Sequence, residues 1–171
     1  MLGSAVRCGL GGAALGLATL AAFSFVGVPV VPTGLEDALL SAEDLPPGFA
    51  REATPPGPAV PAGCTGLLAD PAAGWAGAVE RRYRQAGTGA RVWEAVARPD
   101  GDALSDLRAR LTACRNLMTH RVPGGEVYEV AGGYLAAARV GRTVLVLRYL
   151  GPQPASEILD TALDKVGAAA A

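Results

Sequence analysis

The chain holds three cysteines, Cys8, Cys64 and Cys114, and a single histidine, His120. Thiol and imidazole are the groups that supply a nucleophile with its base, a metal with its ligands, or a chain with a crosslink. Cys114 and His120 stand six residues apart in RARLTACRNLMTH. On one continuous helix that is about 600° of rotation, so the two side chains face different directions. Leu104, Leu107, Leu111, Cys114 and Met118 recur at steps of three and four, an apolar stripe that predicts a helix. Burial on such a stripe raises a thiol pKa, the opposite of what a nucleophile needs. A structural zinc site takes four ligands, whereas Cys64, Cys114 and His120 offer three. These residues therefore predict neither a catalytic nor a metal site.

Other chemical motifs fail on inspection. Gly9-Leu10-Gly11-Gly12-Ala13-Ala14 loosely matches a dinucleotide fingerprint but follows no strand. Asp100, Asp102 and Asp106 have the spacing of a calcium loop. Yet Leu104 takes a ligand position, Ser105 replaces the glycine, and Leu111 stands where the bidentate Glu belongs. The sequence contains no P-loop, no GxSxG elbow and no HExxH. It predicts no cofactor, and no catalytic residue.

One basic cluster does predict a site. AGAVERRYRQ and ARVWEAVARP are strand-like runs joined by AGTG, a hairpin signal. A four-residue loop sets Arg84 opposite Arg91 and Arg82 opposite Trp93. One face then carries Val79, Tyr83, Val92 and Val96, with an Arg81–Glu94 cross-strand pair. The other gathers Arg82, Arg84, Arg91 and Trp93. Directly opposed like charges destabilise a sheet, and guanidinium forks grip phosphate and carboxylate well. The four residues are thus a candidate site for an anionic envelope lipid or glycan. The competing reading is an ordinary solvated strand face, relieved by carboxylates such as Glu80.

Residues 1–34 differ from the rest. Arg7 is followed by an apolar, Gly- and Ala-rich run with no charge until Glu36. This pattern predicts an export signal or a membrane anchor over residues 8–31, close to the roughly 20 residues that span a bilayer. Cys8 precedes the apolar run and follows Arg7, so it does not form a lipobox. In an exported chain the two cysteines beyond the leader pair. A Cys64–Cys114 bridge would close about fifty residues and stabilise the fold by about 4 kcal/mol.

The 171 residues correspond to one domain, placed at 35–171, after the leader. Aromatics are scarce (two Trp, four Tyr, three Phe), so Ala, Val and Leu must build the core. The formal net charge of −1 supplies no field that would draw the chain to nucleic acid.

The elements that hold these residues follow from periodicity. Residues 35–40 read as a short helix and 50–63 as an extended, proline-rich segment. Asp100 or Asp102 caps the Leu104–Met118 helix. EVYEV, YLAAARV and TVLVLRYL read as strands turning at Gly132-Gly133 and Gly141-Arg142. TVLVLRYL, apolar on both faces, belongs at the centre of the sheet. PASEILDTALDKV is a closing helix ended by Gly167. The fold class is α+β: about five strands, mostly antiparallel, packed with helices and held by one disulfide.

The order LLSAEDLPPGF, Cys64, GAVERRY, RVWEAVA, LTAC with Cys114, and a final hydrophobic hairpin and helix resembles the PknH-like extracellular sensor domains of actinobacteria. The resemblance covers most of residues 35–166. It implies an α+β sensor-type domain outside the cytoplasmic membrane, binding an envelope ligand in a cleft, with no kinase attached. Family members often carry two disulfides, and only Cys64 and Cys114 are available here. The expectation is an exported, membrane-tethered ligand-binding domain without catalysis. An envelope lipid carrier or a small exported hydrolase is the alternative.

Overall fold

The computed structural model describes residues 34–53, 63–114, 117–152 and 156–170. Residues 1–33, which hold nearly all of the expected leader at 1–34, most of the proline-rich segment 50–63, and residues 115–116 lie outside the described residues. Seven strands form one sheet: β1 Phe49–Arg51, β2 Val79–Gln85, β3 Arg91–Ala97, β4 Thr119–Val122, β5 Gly125–Val130, β6 Gly133–Val140 and β7 Thr143–Leu150. Three helices accompany them: α1 Cys64–Ala69, α2 Ala103–Thr112 and α3 Ser156–Ala170. The strand order is β1-β2-β3-β7-β6-β5-β4, and every pairing is antiparallel. The class is α+β, with seven strands where the sequence suggested about five.

Both additional strands lie at the sheet edges, where short elements leave little periodic signal. β1 has three residues at the start of the proline-rich segment. β4 occupies Thr119–Val122, directly after the expected end of the helical stripe at Met118, where the sequence predicted no element. The stripe itself ends sooner than expected. Helix α2 stops at Thr112, Cys114 follows it in a bend, and Met118 is 61% exposed. Asp102 is the N-cap, its carboxylate accepting from Ser105 N at 3.3 Å. Residues 35–40 form successive turns rather than a helix, and α3 runs through Gly167 to Ala170.

Strand β7 lies between β3 and β6, buried along most of its length as its apolar composition requires. Its hairpin to β6 turns at Gly141 and the β5–β6 hairpin at Gly132. These glycines have φ of +59° and +81°, a region costly for other residues.

The pleat sends alternate residues to opposite sides of the sheet. One side carries Tyr83, Val92, Val96, Leu145 and Leu147 beneath Leu35, Leu39, Leu40 and the α3 residues Ile158, Leu159, Ala162 and Val166. The other carries Trp93, Ala95, Leu135, Ala137 and Val146 beneath Leu67, Leu107, Leu111 and Cys114. Each fully buried Leu or Ile contributes about 1.5–3 kcal/mol. The sheet is thus a middle layer with cover on both sides. Cys64 and Cys114 are disulfide-bonded with Cα atoms 5.5 Å apart, fastening the start of α1 to the residues just after α2. That bridge holds together the cover over the Trp93 side.

Candidate anion site

The hairpin pairs as its loop length dictates: Arg84 opposite Arg91, Arg82 opposite Trp93, and Arg81 opposite Glu94. Arg84 and Arg91 are exposed at the loop end of the ladder. Arg82 is half-buried. Its Nη2 lies 3.3 Å from Glu80 Oε1, while its Nε is buried with no acceptor. Trp93 differs from expectation. It is 2% exposed, beneath the α1–α2 cover, and its indole Nε1 donates to Glu80 Oε2 at 3.0 Å. Trp93 therefore belongs to the core, and one carboxylate, Glu80, braces both it and Arg82.

A fourth guanidinium joins this side. Arg148 of β7 pairs with Trp93 from the opposite flank to Arg82, so the buried indole lies between two arginines. Arg148 is half-buried and its Nη1 donates to the Leu68 carbonyl near the end of α1. Burial depresses its pKa first, and the positive charges of Arg82 and Arg91 depress it further. Asp70, just beyond α1, is pushed above the usual carboxylate range by burial and then by Glu80. Among the described residues, Arg84, Arg91 and Arg148 have no carboxylate at ion-pair distance. Arg148 could not be found from its own strand. Only the non-local β3–β7 register places it beside Trp93.

Two cavities are relevant. A groove of about 640 Å³ runs beside this end of the sheet, lined by Ala50, Arg51, Glu52, Arg84 and the hairpin loop 86–89. A second, of about 330 Å³, lies over the disulfide between α2 and β5 and includes Leu111, Cys114, Leu117 and Tyr128. Its charged wall is internally satisfied. Arg108 Nε is 2.9 Å from Glu126 Oε2, and Tyr128 Oη donates to the same oxygen at 2.6 Å. Burial and that acceptor push the Tyr128 hydroxyl up to about 12.

The opposite side seals a carboxyl group in the core, opposite Arg81 in the ladder. Glu94 is fully buried, with Oε2 accepting from Leu40 N at 2.8 Å and Oε1 unpartnered. Arg81, expected to pair with it, instead donates to the carbonyls of Leu40 at 2.9 Å and Leu39 at 3.4 Å. Tyr83 Oη donates to the same Leu40 carbonyl at 2.6 Å. Desolvation pushes the Glu94 carboxyl up to about 8, against the lowering effects of the Leu40 hydrogen bond and Arg81.

His120 lies on β4 and Cys114 is bonded to Cys64, so the two do not form a nucleophile–base pair. His120 Nε2 is instead 2.7 Å from Glu129 Oε1 on the exposed surface. Among the described residues no three His, Cys, Asp or Glu side chains are placed to hold a metal ion. No helix among them is long and apolar enough to cross a membrane.

A scan against protein-family models, a search of curated proteins and a search of solved structures each return no match.

Proposed function

We propose that the chain is an exported ligand-binding domain of the cell envelope, of PknH-like sensor type, which binds an anionic lipid headgroup or glycan and catalyses no reaction. The observation that carries this reading is the concentration of Arg82, Arg84, Arg91 and Arg148 on one side of the sheet. Among the described residues three of them lack a carboxylate partner, and the exposed Arg84 borders a groove. Opposed like charges destabilise a β-ladder, and an anion gripped by their forks reverses that cost. Arginine suits the task because its planar fork is always charged and matches phosphate and carboxylate oxygens in pairs.

The Cys64–Cys114 bridge supports an oxidising compartment, and the apolar run over residues 8–31 supports export with a tether to the cytoplasmic membrane. The sequence resemblance supports the sensor class. A lipid carrier would need a deep Ala/Val/Leu-lined cavity, and the two cavities described above carry charged side chains in their walls.

The test is calorimetric titration of the full chain in non-ionic detergent with inorganic phosphate, citrate and galacturonate. At least one should bind saturably, and the double substitution Arg84→Ser/Arg91→Ser should abolish the heat. Identical isotherms for wild type and variant would contradict the assignment.

A further inference from the structure

Resting on the anion-binding reading, we infer that the charged end of the ligand is dianionic, a phosphate monoester, and that Arg148 is the residue that selects for it. Arg82, Arg84, Arg91 and Arg148 share one side of the sheet end, where Glu80 pairs with Arg82 and Asp70 lies close enough to act on Arg82 and Arg148. Among the described residues three of these four arginines have no carboxylate at ion-pair distance, and that unpaired positive charge matches a dianion rather than a monoanion.

Burial sharpens the choice. Arg84 and Arg91 are exposed, and water screens exposed charges well. Arg148 is half-buried, and its recorded partner, the Leu68 carbonyl, cancels no charge. A cation withdrawn from water without a counter-ion is unfavourable. An anion that reaches it relieves this and gains most from the lower local dielectric. Arg82 Nε, buried without an acceptor, is an unmet donor on the same side.

The ligand must also supply enough acceptors. A phosphate monoester offers three terminal oxygens and close to two negative charges near neutrality. A diester offers two terminal oxygens and one charge, and a carboxylate likewise two oxygens and one charge. The monoester alone can engage the exposed Arg84–Arg91 pair and still present an oxygen toward Arg148.

The experiment compares methyl phosphate with dimethyl phosphate, titrated calorimetrically into the full chain in detergent at about pH 7.5. The native chain should bind the monoester about tenfold or more tightly than the diester, the gain of one charge-assisted contact. Arg148→Met should remove that preference by weakening the monoester about tenfold while changing the diester less than about threefold. The native-chain comparison needs no variant, so it decides the matter even where Arg148→Met fails to fold. A parallel arm places phosphatidic acid in the micelle. Saturable binding of free methyl phosphate assigns a soluble or glycan-borne monoester, whereas binding to phosphatidic acid alone assigns a lipid headgroup; both support the inference. Equal affinity for monoester and diester overturns the dianion assignment while leaving an anion site. Absence of binding by every anion overturns the parent reading as well.

Discussion

The two sides of this sheet treat charge in opposite ways. On one, Glu94 is sealed beneath Leu39 and Leu40 and raised to about 8 by the loss of water. On the other, four arginines are crowded together at the end of the sheet, two of them open to solvent, and among the described residues only Arg82 has a carboxylate partner. A sealed carboxyl meets burial by holding its proton. A guanidinium cannot shed its proton at any ordinary pH, so an uncompensated cluster persists as charge. The contrast is one of charge: the sealed acid loses its charge to burial, whereas the open row keeps its charge and so offers itself to a ligand of opposite sign.

The largest expected effect attacks the cover on the arginine side. Cys64→Ser/Cys114→Ser opens a loop of 50 residues and should cost about 4 kcal/mol in urea unfolding. The loss should be local in character. Hydrogen exchange should accelerate first at α1 and the residues after α2, with α3 on the Glu94 side protected longer. Uniform acceleration would show that the two sides do not act separately.

A smaller effect probes the sealed side. Between about pH 4.5 and 8 the folded chain holds the Glu94 proton that the unfolded chain has released. Unfolding free energy should therefore fall as pH rises through that window and level off above it, by a few kcal/mol in total. Glu94→Gln keeps an acceptor for Leu40 N and cannot ionise, so its stability should be flat over the same range. A wild-type profile equally flat in urea titrations at about pH 5, 7 and 9 would mean that Glu94 is not sealed.

Tyr83→Phe removes the hydroxyl that donates to the Leu40 carbonyl. It should cost about 1 kcal/mol by the same assay, since Arg81 still serves that carbonyl. The smallest change in stability belongs to Arg84→Ser/Arg91→Ser. Removing two opposed, exposed charges should leave unfolding free energy within about 0.5 kcal/mol, tending toward stabilisation. Loss of more than about 1 kcal/mol would make the pair structural and weaken the contrast between the sides.

The parts readable from sequence are those fixed by local rules. The AGTG loop set the β2–β3 register residue by residue, because hairpin length dictates pairing. The disulfide followed from cysteine number and the expectation of export, and the centrality of β7 from its two-sided apolar composition. What escaped depends on distant chain segments. Trp93 looked like part of an open face because nothing local shows that α1 and α2 descend on it. The Arg81–Glu94 pair gave way because Leu39 and Leu40, over forty residues earlier, brought carbonyls and an amide that compete for both groups. Met118 matched the helical step by coincidence of spacing, on the far side of the break after α2. Arg148 entered the cluster only through the pairing of β3 with β7.

The most direct test of the account observes the arginines themselves. In the full chain labelled with nitrogen-15 arginine, side-chain resonances are followed while inorganic phosphate is added. The account predicts saturable shifts of Arg82, Arg84, Arg91 and Arg148 with one shared dissociation constant, while Arg108 and Arg139, already paired with Glu126 and Asp102, stay still. Linear, unsaturable drift of all arginines alike would contradict it.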